Sequence, residues 1–305
     1  MSIEFLERHA RDLQREAQLT AERSAASPDD FWLEVAAKNQ LDAAHAAMRT
    51  LEIENARKTG LLFEIRLTGP GADPALRLDT FLDFFTPLNR AWKTAAFRLY
   101  HGAQSNSRSQ VADELIDIGL AGLSQRPPHV LLIGSNAGDA AEVHLLRNTF
   151  TTIFQLLSSD IDDFFDAVNA IGVHATLDLG AALVVVEAAA LDAEFICRNQ
   201  GAILTWRGSP TEVSRIKTLI DATTDSFTFH ETLVGVLAAI PRDGELALRS
   251  EAGTSRIRFP LDIATSLEQI PVGTHISVKV QTTKFNHPST NREVFKRTLL
   301  SASPV

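Results

Sequence analysis

The chain has 305 residues, with 38 acidic and 29 basic side chains and a formal net charge of −9. This acidic surplus argues against a protein that coats nucleic acid over its whole surface, although it leaves room for a local basic face. Hydrophobic residues make up 45% and charged residues 22% of the chain, which is typical of a globular protein long enough for more than one domain.

Membrane and secretory features are missing from the sequence pattern. No continuous apolar run approaches the roughly 18 residues of a membrane span, and the charged first residues lack the apolar stretch of a secretory signal. Cys197 is the only cysteine, which excludes an intramolecular disulfide and a cysteine-based zinc cluster. We therefore expect a protein of the reducing cytoplasm.

Residues 1–59 predict two long helices that form a helical hairpin or arm. The charged segment IEFLERHARDLQREAQLTAER supplies the first helix. We expect Ser27 to be the N-cap of the second helix, Pro28 to occupy its first position and Gly60 to end it. Such an arm either associates with another copy of the chain or packs on its own domain, and the sequence favours neither.

Residues 60–225 predict a central α+β domain. A strand over residues 61–69 precedes a helix over residues 79–100, in which aromatic side chains recur at helical spacing. Two apolar runs joined by a proline-containing turn then predict an antiparallel hairpin. Three helices, a further strand or hairpin and a helix capped at Ser209 complete this domain. Strands and helices that come in groups, rather than alternating, indicate an α+β fold.

The stretch HVLLIGSNAGDAAEVHLL has the outline of a nucleotide site. An apolar strand runs into a loop with Gly134 and Gly138, and then into a helix. A phosphate loop requires a parallel strand and GxGxxG or GxxxxGK[ST] spacing. These glycines fit neither spacing, no lysine follows them, and the strand belongs to the expected hairpin. The sequence therefore favours an ordinary loop.

Four aspartates lie close together in the segment SSDIDDFFDAV, at Asp160, Asp162, Asp163 and Asp166. Clustered carboxylates can bind Mg²⁺ or act as acid and base. Acidic residues in a first helical turn are, however, favoured by the helix dipole. We therefore interpret this group as a helix cap rather than a metal site.

No catalytic, cofactor or metal motif is recognisable in the chain. GxSxG, HExxH and CxxC are absent. The remaining candidates for a general base are His174 with Asp178, four residues apart, and His230 beside Glu231. Cys197 lies in an expected buried strand, which favours a core thiol over a nucleophile. We expect no catalytic residue, no cofactor and no metal.

Residues 226–305 predict five strands, with a short helix capped by Asp262 between the third and the fourth. This is the element order of an OB-type small β-barrel, and an SH3-like barrel is the alternative. The segment carries nine basic and seven acidic side chains, whereas the preceding residues are strongly acidic. A basic surface is therefore expected here.

Strand alternation turns basic side chains outward in the second, third and fourth of these strands. The segment KFNHPSTNR, expected as the loop between the last two strands, adds further basic side chains and one aromatic ring. On OB-type barrels the second and third strands and this loop form the usual binding face. The candidate contacts for single-stranded nucleic acid are Arg249, Arg256, Arg258, Lys279, Lys284, Phe285 and Arg292. The alternative is an ordinary solvated barrel surface, because Phe285 is the only candidate for stacking on a base.

The sequence as a whole favours a non-enzymatic interaction or regulatory protein inside a bacterial cell, acting with a protein partner or as a homo-oligomer. An accessory role in an antiphage system is one setting for it. The first alternative is a nucleic-acid-binding protein that acts through the C-terminal barrel. The second is an enzyme whose site in the central domain carries no recognisable motif. No membrane contact is expected.

Overall fold

A computed structural model of the chain shows a mixed α+β protein with two β-sheets. It describes residues 2–59, 61–72, 75–102, 115–125, 128–134, 140–199, 202–240, 244–251, 253–260, 263–288, 290 and 292–305. The glycine-containing loop after residue 134 and Asp262 lie outside these residues. The helices and the two sheets confirm the expected α+β class.

The N-terminal arm consists of helices α1 (Ile3–Ala26) and α2 (Phe31–Thr59). Ser27 is the C-cap of α1 rather than the N-cap of α2, so that prediction is wrong. The side chain of Asp30 caps α2 instead, accepting the Leu33 backbone N–H at 3.1 Å. The reason is that Pro28 lies in the turn between the helices, which places the start of α2 three residues later.

The two arm helices pack along a heptad seam. The least exposed positions of α1 recur every three and four residues, at Ile3, Leu6, Ala10, Leu13, Ala17, Thr20 and Ser24. The matching seam of α2 is Leu33, Ala37, Gln40, Ala44, Ala47 and Leu51. This spacing is that of a coiled coil. Thr20 and Gln40 are hydrogen-bonded across the seam, so a polar layer fixes its register.

The central sheet has five antiparallel strands in the order β2-β3-β1-β4-β5. Their bounds are β1 Leu62–Thr68, β2 Ile118–Gln125, β3 Pro128–Gly134, β4 Asp192–Asn199 and β5 Ala202–Gly208. The hairpin expected after the first long helix is confirmed as β2–β3. The strand or hairpin expected around Cys197 is the hairpin β4–β5.

Five helices accompany this sheet in the described chain: α3 (Leu78–His101), α4 (Ala140–Ser158), α5 (Ile161–Ile171), α6 (Val173–Ala188) and α7 (Pro210–Asp221). Ser209 caps α7 as expected, accepting the Glu212 backbone N–H at 3.4 Å. The helix α6, expected to be buried, is exposed along one stripe that includes Leu177 and Val184.

Aromatic rings form the centre of the core between these helices and the sheet. Phe63 on β1 is fully buried, and its ring centroid lies 4.8 to 5.6 Å from those of Trp92, Phe150, Phe154 and Phe195. These rings come from α3, α4 and β4, so the contacts tie both helices to the middle of the sheet. Tilted and edge-on ring pairs at such distances add to the stabilisation from buried area.

The C-terminal part contains a second sheet whose five strands close into a ring, in the order β10-β8-β7-β6-β9 and back to β10. We call it the C-terminal ring. Its elements are β6 (Phe227–Ala239), β7 (Glu245–Ser250), β8 (Gly253–Arg258), helix α8 (Ala264–Glu268), β9 (His275–Asn286) and β10 (Glu293–Pro304). It has its own buried cluster, which includes Leu248, Ile257 and Val278.

Within the described residues, no single helix is both long and apolar enough to cross a membrane. The helices α5 and α6 reach that length and composition only as a pair, and they are bent by 108° at their junction.

Candidate functional site

Two of the predicted nucleic-acid contacts lie together on the C-terminal ring. Arg249 on β7 and Arg256 on β8 are both exposed, and their strands are paired. Lys279 is also exposed, but on β9, which is separated from β7 by β6. Along β6, Lys279 pairs with Thr232 and Arg249 pairs with Val236, four residues further on. The structure therefore groups the two arginines and places Lys279 elsewhere on the ring.

The segment expected as the loop between the last two strands is largely strand. Lys284 and Phe285 lie within β9, and Lys284 forms an ion pair with Glu293 on β10. Phe285 is only 1% exposed and stacks on Phe165 of α5, with ring centroids 4.9 Å apart. The prediction of an exposed stacking aromatic is wrong, because α5 covers this outward-facing side chain. Arg292 is exposed in the short connection that remains.

Arg258, the last of the predicted contacts, opens onto a cleft between the C-terminal ring and the helices. The cleft has a volume of about 400 Å³. Its walls are the end of α3, one face of α4, the end of α5 and strands of the ring. The polar side chains that line it are Arg98, His144, Asn148, Thr151, Thr152, Gln155, Asn169, Glu245, Arg258 and Thr298. We call it the ring–helix cleft.

The helix α4 contributes a polar stripe to this cleft. His144, Asn148, Thr152 and Gln155 follow each other at three- and four-residue intervals, so they share one helix face. The amide nitrogen of Asn148 lies 3.3 Å from Nδ1 of His144. Thr152 donates its hydroxyl to the Asn148 carbonyl at 2.8 Å, which leaves its oxygen free to accept. The opposite face of α4 is apolar and buried in the core.

Arg98 extends from the last turn of α3 into the ring–helix cleft. Its guanidinium makes no hydrogen bond or ion pair with any residue that the structure describes, whereas its backbone carbonyl accepts the Gly102 N–H at the end of α3. Burial lowers the pKa of its guanidinium to about 10, so the group still carries its charge at neutral pH. A positive charge partly withdrawn from water, with no counter-charge among the described residues, is unfavourable. Arg98 is therefore the group in the cleft that most requires an anionic partner.

Polar contacts hold the ring against the helices and so give the cleft its shape. Thr298 donates to the side-chain oxygen of Asn169 at 3.2 Å, and the same amide donates to the Arg297 carbonyl at 3.4 Å. Gly102, after α3, lies so close to Pro260 that an added Cβ would be 2.7 Å from the proline ring. The cleft is thus bordered by fixed contacts on both sides.

A charged network anchors the arm to the central sheet. Arg57 near the end of α2 pairs with the buried Glu64 at 3.8 Å, and His129 Nε2 lies 3.3 Å from the same carboxylate. From α4, Arg147 donates to the Thr59 carbonyl at 2.5 Å. These contacts join the end of α2 to β1, β3 and α4 at the base of the arm, although Nε of Arg57, Nε of Arg147 and Nε2 of His129 are buried there without a hydrogen-bond partner among the described residues.

The structure shows the local surroundings of Asp160, Gly134 and Cys197, which the sequence interpretation had singled out. Asp160 caps α5, accepting the Asp163 backbone N–H at 3.2 Å, and the described residues include no group of three or more potential ligands that could hold a metal ion. The strand β3, which ends at Gly134, is antiparallel to both its neighbours. Burial raises the pKa of the Cys197 thiol to about 12, as expected for a core thiol.

The two histidine pairs considered as general bases have their carboxylates engaged elsewhere. Asp178 pairs with Arg90 at 3.4 Å rather than with His174. Glu231 accepts hydrogen bonds from Thr282 and Arg297, and it adjoins His230 along a strand, where successive side chains point to opposite faces.

The sequence interpretation did not identify the ring–helix cleft. One signal was present in α4: a polar stripe at helical spacing opposite an apolar one, in a helix whose surroundings predict burial. Arg98 gave no such signal, because a basic residue in the last turn of a helix is ordinary.

Comparisons with protein-family models, curated proteins and solved structures found no match to this chain.

Proposed function

We propose that the protein is a non-enzymatic interaction module that assembles with a second copy of itself through the arm. The observation that supports this most is the isolation of α1. Among the residues that the structure describes, this helix of 24 residues packs extensively only along α2, whereas the last turns of α2 contact the central sheet. This supports self-association over packing on the arm's own domain, the two alternatives that the sequence left open.

The seam of the arm buries little apolar area. Three of its most buried positions are alanines, Ala10, Ala17 and Ala44, and the Thr20–Gln40 layer is polar. Because stabilisation scales with the apolar area removed from water, a hairpin built on alanine gains less than one built on leucine. Larger side chains of the arm stay in solvent, among them Trp32, which is 77% exposed.

A groove along one face of the arm fits a second hairpin. Its volume is about 750 Å³, and alanines from both helices line it. Leu41 lies in the groove and is 48% exposed. Glu34 and Lys38 lie on the same face, so the groove carries both signs of charge beside an apolar side chain. A two-fold interface requires such a self-complementary surface, and this favours a second copy as the occupant.

Disulfide trapping tests this assembly in the full chain. The native Cys197 is buried and its raised pKa leaves it unreactive. Any disulfide that links two chains therefore comes from the introduced cysteine. We expect Leu41→Cys to form a covalent dimer under mild oxidation, because Leu41 lies near the middle of the groove. Thr50→Cys, exposed on the opposite side of α2 and outside the groove lining, is the matched control. Equal trapping of both variants would contradict the proposed interface.

The finer fold of the C-terminal ring belongs to the same proposal: an OB-type barrel rather than an SH3-like one. Three features support it. The strands follow the order 1-2-3-5-4, β8 and β10 are parallel, and α8 lies between β8 and β9. In an OB-type barrel the binding face is formed by the second and third strands, which here are β7 and β8.

A second candidate function is the binding of single-stranded nucleic acid on that face, favoured by the exposed pair Arg249 and Arg256. The structure offers no exposed aromatic partner from the predicted set, so phosphate contacts would dominate. We expect weak binding of an oligonucleotide at low salt. Replacing both arginines with alanine should flatten the slope of log K against log salt by about 1.4, the value for two phosphate contacts on a single strand.

Fluorescence anisotropy over a salt series measures this slope. Lys279→Ala is the matched control, because it removes an exposed charge from another part of the ring. An equal effect of Lys279→Ala, or an unchanged slope in the double variant, would contradict a site on β7 and β8.

A further inference from the structure

The ring–helix cleft contains a cation that the described protein does not neutralise. The guanidinium of Arg98 lines the cleft without a hydrogen bond or ion pair to any described residue. The carbonyl groups at the end of α3 supply only a partial negative charge, about half an elementary charge. An anion in the cleft would balance the remainder.

The rest of the lining is suited to a polar ligand. Asn148 and Gln155 present amides, which both donate and accept, from the same face of α4. Thr152 has an oxygen free to accept. Glu245 is the carboxylate among the lining residues that the structure describes, and it lies on the ring side. A ligand with one anionic end and several hydroxyl or ring-nitrogen groups matches this distribution.

We propose that the ring–helix cleft binds a small phosphate-bearing ligand of nucleotide size, with the Arg98 guanidinium on its phosphate and the α4 stripe on its remaining polar groups. Guanidinium groups recognise phosphate through paired N–H donors. The size follows from the volume: inorganic phosphate would leave most of about 400 Å³ unfilled, and small-molecule sites begin at about 300 Å³.

This site does not depend on the arm. The cleft is formed by α3, α4, α5 and the ring, whereas self-association is proposed for α1 and the first half of α2. Failure of one proposal therefore leaves the other untouched.

Isothermal titration of the full chain with AMP, ATP and inorganic phosphate tests the proposal. We expect a nucleotide to bind at least tenfold more tightly than inorganic phosphate. Arg98→Gln should weaken nucleotide binding tenfold or more, because it removes the phosphate contact. Since Arg98 is half-buried, a second variant is needed whose folding is not at risk. Gln155 is exposed, and Gln155→Glu adds a like charge to the cleft, which should also weaken binding tenfold.

Asn89→Asp is the matched control, since it converts an exposed amide of α3 outside the cleft to a carboxylate. Its affinity should equal that of the parent chain. Arg256→Ala separates the cleft from the outer face of the ring and should likewise leave nucleotide affinity unchanged. The proposal is overturned if no nucleotide binds, if Gln155→Glu binds like Asn89→Asp, or if Arg256→Ala alone abolishes binding.

Discussion

Asp160 stabilises the first turn of α5 by accepting the Asp163 backbone N–H. Replacing this residue with alanine should cost about 1 kcal/mol of unfolding free energy, because a backbone donor loses its partner. Asp160→Asn keeps the acceptor and should cost less. Urea denaturation of both variants measures the difference. A melting temperature of the parent chain that rises with Mg²⁺, and no longer does so in Asp160→Ala, would contradict the capping role.

Glu231 makes part of the stability of the C-terminal ring depend on pH. Burial alone would raise its pKa, but hydrogen bonds from Thr282 and from Arg297, together with the charge of Arg297, outweigh burial and lower it. A carboxylate with a lowered folded-state pKa stabilises the protein above its unfolded pKa. That contribution is lost as the pH falls below about 4.5, through the folded-state value.

We therefore expect Glu231→Gln to lower the melting temperature at about pH 6 and to reduce the further fall between about pH 6 and pH 3.5. Glu251→Gln, at an exposed turn position, is the control and should leave both values near those of the parent chain. Calorimetry over this range measures the effect. A fall in the Glu231→Gln variant as steep as in the parent chain would contradict the assignment.

Phe285 and Arg98 show how far the surroundings of a single residue can be predicted from the local sequence. The alternation of side chains along β9 correctly predicts that Lys279 points outward, and it predicts the same for Phe285. This local pattern carries no information on Phe165, 120 residues earlier, which covers Phe285 in the folded chain. The position of Arg98 in a cleft also depends on distant elements, since part of the lining comes from the C-terminal ring.

The arm shows how far an element can be predicted. Its two helices follow from alanine-rich, charged sequence, and α1 carries a heptad spacing that can be read directly. The N-cap was misplaced because Ser27 and Asp30 are both good caps, and the choice between them depends on the turn that Pro28 makes. Whether the arm packs on its own domain depends on the direction of α2, which the contact of Arg57 with Glu64 fixes.

The C-terminal ring is expected to fold alone as the fragment 226–305. Its inward side chains form a separate buried cluster, including Leu248 and Val278, although the fragment exposes Phe285. We expect well-dispersed amide signals in its NMR spectrum. The Val278→Asp fragment, which places a charge in that cluster, serves as the unfolded reference. A parent fragment with the same collapsed spectrum would show that the ring needs the helices.

Strands were predictable as elements, but their arrangement was not. Hairpins β2–β3 and β4–β5 follow from short turns between apolar runs. The insertion of β1 between these two hairpins joins residues about 130 positions apart, such as Glu64 and Ile196. Local patterns carry no information on such pairings, so the layout of the sheet required the folded structure.

In the molecule as a whole, the two proposed surfaces are formed by different elements. The arm extends from the central sheet through a helix of 29 residues, about 43 Å long, while the C-terminal ring docks on the helices at Asn169 and Gly102. The groove proposed for self-association and the cleft proposed for a ligand share no lining residue, so the two proposals can be tested separately.

Self-association through the arm would double the mass of the protein in solution. Light scattering coupled to size-exclusion chromatography should give twice the 33.3 kDa of one chain. Leu41→Gln should shift the protein towards the single-chain mass by weakening the apolar contact, whereas Thr50→Gln, on the opposite side of α2, should remain a dimer. A parent chain that elutes as a monomer at micromolar concentrations, or a Leu41→Gln variant as dimeric as Thr50→Gln, would contradict self-association through the arm.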